Sequence, residues 1–117
     1  MNPQRQSAFF AALSNAQQLM QEEQPQAAFY QLENAHILGQ DNWRLHIRSH
    51  WEMAKWALKY RNLNEWIGQG FRIIAALLFT HLWVPRGNTG GANVNPFKPM
   101  PIREALLPYF KNGQNME

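Results

Sequence analysis

Residues 32–50, LENAHILGQDNWRLHIRSH, hold three of the chain's four histidines. They read as two helices meeting at a short break around Gly39, Gln40 and Asp41. Glu33 and His36 stand three apart before the break, and His46 and His50 four apart after it, so each pair projects from one face of its helix. With the turn centred near Gln40, an antiparallel hairpin sets Glu33 opposite about Arg48, between the levels of His46 and His50, with His36 near the level of Leu45. All four side chains then fall in one patch.

Two chemistries fit that patch. Imidazole and carboxylate together suit zinc, iron, copper or nickel, and Glu-x-x-His is also the spacing used inside di-metal carboxylate bundles. Glu33, His36, His46 and His50 are therefore the candidate metal ligands, with His81 near the end of a later helix as an additional one. The same residues equally suit a metal-free seam, in which Glu33 and His36 hydrogen-bond across the hairpin to His46 or His50 and His36 sits favourably at a helix C-terminus. A zinc protease is disfavoured, since Ile47 follows His46 where H-E-x-x-H needs its glutamate base.

Outward from the hairpin, Phe9, Leu13, Ala16 and Met20 recur at helical spacing and predict a helix over about 7–22. Pro25, tolerated in a first turn, opens a second helix over about 25–38, for which Gly39 reads as a C-terminal cap. Asp41 or Asn42 caps a third, about 42–60, with Ile47, Trp51, Ala54 and Leu58 as its apolar stripe and Arg48, Glu52 and Lys55 as solvent-facing charges. A fourth, about 64–80 with Asn64 as its cap, carries Leu63, Trp66, Ile67, Phe71, Ile74, Leu77 and Leu78. It is apolar nearly all round, which predicts a central helix or one covered by the tail. Residues 85–101 lose all periodicity and read as a long loop, and Pro101 opens a short helix, about 101–110, that Pro108 kinks or ends. The expectation is a single all-α domain over 1–117. Two antiparallel hairpins at an offset of roughly 37 residues build it, in a tetratricopeptide-like arrangement or a four-helix bundle.

The loop segment RGNTGGAN offers consecutive backbone N–H groups and one guanidinium, so Arg86, Gly87, Asn88, Thr89 and Gly90 are a candidate anion- or ligand-binding loop. It lacks the Lys-Ser or Lys-Thr of a P-loop. The bland alternative is structural: glycine supplies positive φ and asparagine bonds the local backbone.

The run GNTGGANVNPFKPMPI (87–102), together with LENAHILGQ and HIRSHWEM upstream, resembles a bacterial family of uncharacterised proteins, the domain-of-unknown-function family 3703. The likeness covers most of the chain. It implies a small helical protein and supplies no activity, cofactor or catalytic residue.

Composition narrows the classes. With 117 residues, 45% hydrophobic and 13% aromatic, the chain has material for one modest core. A net charge of +3, with basic and acidic residues interspersed, lacks the positive stripe of a nucleic-acid binder. The absence of cysteine excludes disulfides, thiolate metal sites and cysteine nucleophiles. The longest apolar run, residues 73–84, is too short for a membrane span, and no signal peptide is evident, so the expectation is a soluble cytoplasmic protein. No Ser-His-Asp order stands out, which leans the reading away from an enzyme. Three functions remain open: a transition-metal binder, a tetratricopeptide-like module for a protein or peptide partner or a homodimer, and a small-ligand or enzymatic pocket between the histidines and the loop.

Overall fold

The computed structural model describes residues 2–79, 88–92, 94 and 98–110, with backbone only for 77–79. It contains four α-helices, α1 (Pro3–Gln21), α2 (Pro25–Gly39), α3 (Trp43–Lys59) and α4 (Leu63–Phe79), and a 3-10 helix, Glu104–Phe110. The all-helical expectation holds. Each α-helix packs on the next, and the 3-10 helix lies against α1 and α2.

Local chemistry explains the boundaries. Asn2 accepts the Arg5 N–H and Pro3 opens the first turn, so α1 starts a turn earlier than the periodicity indicates. Pro25 opens α2 as expected. The Asn42 side chain accepts the N–H groups of Arg44 and Leu45 and caps α3. For α4 the cap is Asn62, whose Oδ1 accepts from Glu65 N at 3.0 Å, rather than Asn64. Gly39 is the last residue of α2, not a left-handed cap, because the chain continues in right-handed backbone at Gln40. Its smallness serves packing: a Cβ there would lie 2.7 Å from the Phe9 ring and 2.9 Å from Leu45 Cβ.

The apolar core joins Phe9, Leu13 and Ala16 of α1 to Leu32, Ala35 and Leu38 of α2, Met53 of α3, and Leu106 and Phe110 of the 3-10 helix. Pro108 sits inside that short helix without breaking it. Arg5 is buried here, paired with Asp41 at 3.1 Å and stacked on the Phe110 ring.

The second hairpin departs from expectation. Of the predicted α3 stripe only Ala54 is buried; Trp51 is 54% exposed and Leu58 67% exposed. The face turned inward carries His46, Ser49, His50 and Glu52 beside Met53 and Ala57. Glu52, expected in solvent, is buried and receives Arg48 at 3.0 Å and Lys55 at 3.3 Å. α4 repeats the inversion: Glu65 and Gln69 are buried, while Leu63, Trp66, Ile67, Phe71 and Ile74 are exposed. Hydrophobic periodicity gives the correct helices but the wrong inward face, because the polar faces of α3 and α4 have each other to bond.

Gly39→Ala tests the packing argument. Overpacking against the Phe9 ring and Leu45 is expected to cost roughly 1–3 kcal/mol, measured as a lower urea midpoint with little change in helical circular dichroism.

Candidate metal centre

The α2–α3 connection, only Gln40 to Asn42 between the two helices, brings the C-terminal turn of α2 beside the first two turns of α3. His36 therefore meets the face that carries His46 and His50. The three ring centroids form a nearly equilateral triangle, with sides of 4.7 Å (His36–His50), 4.9 Å (His36–His46) and 4.9 Å (His46–His50). One ligand nitrogen from each lies within 4.8 Å of the other two, and all three residues are buried. The His36 and His46 Nε2 atoms are 3.1 Å apart. Two imidazole nitrogens bound tetrahedrally to one zinc at about 2.0–2.1 Å are separated by roughly 3.3 Å, so this edge already has coordination spacing.

Hydrogen bonds fix which nitrogens face inward. His36 Nδ1 lies 2.7 Å from the Asn88 carbonyl, which can only accept, so Nδ1 carries the proton and Nε2 keeps its lone pair. His50 Nδ1 lies 2.5 Å from Gln69 Oε1. The Gln69 amide nitrogen donates to the Glu65 carboxylate and, at 3.0 Å, to the Gly90 carbonyl, which leaves Oε1 as acceptor and His50 Nδ1–H as donor. His50 Nε2 is then the free nitrogen. Metal-binding histidines are oriented in this way, the far N–H held by a carbonyl or carboxylate. With no metal between them, the His46 Nε2–H can donate to His36 Nε2.

All three rings are neutral near pH 7. Burial is the largest cause of depression at His36, reinforced by the charges that His50 and His46 would carry, and its pKa lies well below 6.5. Burial takes His46 down to about 4, opposed by Asp41, and His50 to about 3, where His46 and Arg72 add to the depression and the Gln69 bond opposes it. Neutral imidazole is the metal-binding form.

The loop after α4 supports the triad from the other side. Gly90 has φ +85°, and a Cβ on it would lie 2.6–2.8 Å from the His36 ring, so two independent constraints require glycine here. Its N–H donates to Asn88 Oδ1 at 2.8 Å, and Asn88 Nδ2 donates to the Lys98 carbonyl at 2.8 Å. The Ala92 N–H reaches both Glu65 carboxylate oxygens, at 3.2 and 3.1 Å.

Of the residues expected from the sequence, His36, His46 and His50 come together and Glu33 does not. Glu33 Oε1 lies 2.5 Å from Arg103, whose other bonds go to Asn34 Oδ1 and the Tyr30 carbonyl. Residues three apart on a helix diverge by about 60°, and Arg103, seventy positions away, claims the carboxylate. In the candidate anion loop, Asn88 and Gly90 bond to the histidine support and to each other, and Thr89 is half-buried. His81, Arg86 and Gly87 lie outside the described residues. The sequence reading missed Glu65 and Gln69. Their signal is present: with Arg72 they recur at spacings of four and three along a mostly apolar helix, marking one polar face.

No described helix is long and apolar enough to cross a membrane. A model of the family described as "Protein of unknown function (DUF3703)" matches residues 3–110. No curated protein and no solved structure matches the chain.

Two outcomes follow from the site's packing and protonation. Gly90→Ala is expected to cost more than about 1 kcal/mol, with changed chemical shifts at His36. The pH dependence has a definite sign. The unfolded chain binds protons at its histidines near pH 6.5, before the folded one does, so the metal-free protein loses stability as pH falls from 6.5 through about 4 and 3, and these groups contribute no slope above pH 7. Urea titrations at pH 7.5, 6 and 5 measure it, and His50→Asn, with one such group fewer, shows a shallower loss.

Proposed function

The chain belongs to the DUF3703 family, and we propose that it binds one transition-metal ion through Nε2 of His36, His46 and His50. The observation that carries this reading is the convergence of three buried imidazoles, two of them with Nδ1 held by a carbonyl oxygen. An ordinary polar seam pairs a donor with an acceptor and stops there. Three nitrogen ligands within 4.8 Å of one another, with neutral rings at physiological pH, instead favour an ion between them.

The donor set argues for zinc or copper, with nickel and iron next. All-imidazole ligation suits these borderline ions and is a poor match for magnesium or calcium, which require oxygen. The ligands contribute no charge of their own. Glu65, linked to His50 through Gln69, supplies a buried negative charge that offsets part of the cation's, while Arg72 opposes it. Such a site takes the ion with few protons to displace.

Storage, sensing or delivery fits better than turnover. Among the described residues the nearby groups that could move a proton are engaged structurally: the Ser49 hydroxyl donates to the His46 carbonyl at 2.7 Å, Glu65 accepts from Gln69 and Ala92, and Asp41, which acts on His46, pairs with Arg5. In this reading Glu33 is a structural residue that anchors the C-terminal segment through Arg103.

Calorimetry with zinc and copper(II), with elemental analysis of the product, tests the proposal. One ion per chain is expected, with His36→Ala or His50→Ala reducing affinity by at least about 100-fold. Gln69→Ala, which removes only the support of His50, is expected to cost roughly 10–100-fold. Glu33→Gln leaves affinity within a few-fold of wild type. Metal content that is negligible in the wild type, or equal across wild type and the histidine variants, overturns the reading.

A further inference from the structure

The outward face of the second hairpin is apolar to a degree unusual for a surface. On α4, Leu63, Trp66, Ile67, Phe71 and Ile74 fall within one side of the helix and all are exposed. On α3, Trp51 and Leu58 are seven residues apart, hence on one face, and are exposed as well. The two stripes join at the turn, where Leu58, Leu63 and Trp66 line one shallow depression together with Ala57, Arg61 and Asn62.

We propose that this face is the interface of a homodimer, formed by α3 and α4 against the same helices of a second copy. Three observations select that occupant. At about 200 Å² for each fully exposed large apolar residue, the seven leave roughly 800 Å² open, which is what one partner of a stable interface buries. The α4 stripe itself is uncharged, because the two charged residues of α4 point elsewhere: Glu65 is buried, and Arg72 is half-buried and donates to the Val94 carbonyl. A twofold axis through the α4 stripe can therefore superpose it on its own image with no α4 charge meeting its copy. The face carries three exposed aromatic residues, Trp51, Trp66 and Phe71, the kind of anchors that dominate interface energetics. The apolar residues expected inside the domain from hydrophobic periodicity are then buried after all, between protomers.

Sedimentation equilibrium of the full chain between 1 and 100 µM, with helicity followed by circular dichroism, tests this. The wild type is expected to be a dimer. Phe71→Glu and Ile74→Glu each put a like charge on both sides of the axis, and are expected to weaken the dimer by roughly 100-fold or more without loss of helicity. Phe10→Glu, at an exposed aromatic position on α1, leaves it intact. A monomeric wild type across that range overturns the proposal, and so does a dimer that both α4 variants leave unchanged. The first result means that the face is covered within one chain or by a different partner. Metal stoichiometry, measured on the same samples, is independent of either outcome.

Discussion

The chain of hydrogen bonds from His50 through Gln69 to Glu65 decides how the second half of this protein is built. A buried imidazole or amide carries a desolvation cost of about 1–3 kcal/mol when unsatisfied, and a charged carboxylate carries more. Here they satisfy one another in sequence, and the loop carbonyl of Gly90 and the Ala92 N–H take up what remains. Once α3 and α4 meet through those groups, the opposite faces of both helices point outward, and those faces are the apolar ones. The exposed aromatic stripe and the buried polar centre have a single cause.

Much of this was legible in the sequence, and the rest was hidden for identifiable reasons. Proline and asparagine mark helix starts directly, so Pro25 and Asn42 gave correct boundaries for α2 and α3. The His36, His46 and His50 convergence followed from helical spacing and a short connection. The inward face of α3 did not, because the periodicity rule assumes that apolar residues are buried within the chain, and Trp51 and Leu58 are not. Glu33 was misplaced because its partner, Arg103, is remote in sequence. The role of the loop was hidden most thoroughly: what it offers His36 and Gln69 are backbone carbonyls, which leave no mark on residue identity.

Gly90 is the exception. Its positive φ and its contact with the His36 ring each exclude a side chain, so one residue type records two constraints. The segment 88–90 is thereby connected to the histidines by packing as well as by hydrogen bonds. A turn chosen only for its conformational freedom would tolerate many placements. This one must bring the Asn88 carbonyl to His36 Nδ1 and the Gly90 carbonyl to Gln69 Nε2 at the same time, which sets both the distance and the direction from which the segment approaches α2 and α4.

The same geometry ties the histidine cluster to the outer surface. α3 presents His46 and His50 on one face and Trp51 and Leu58 on another; α4 presents Gln69 on one face and Trp66 and Phe71 on another. An ion held by the triad, as proposed, would restrain the relative position of α2 and α3, and the bond from His50 to Gln69 would pass that restraint to α4. A second copy seated on the outer stripe, as proposed, would restrain α3 and α4 from outside.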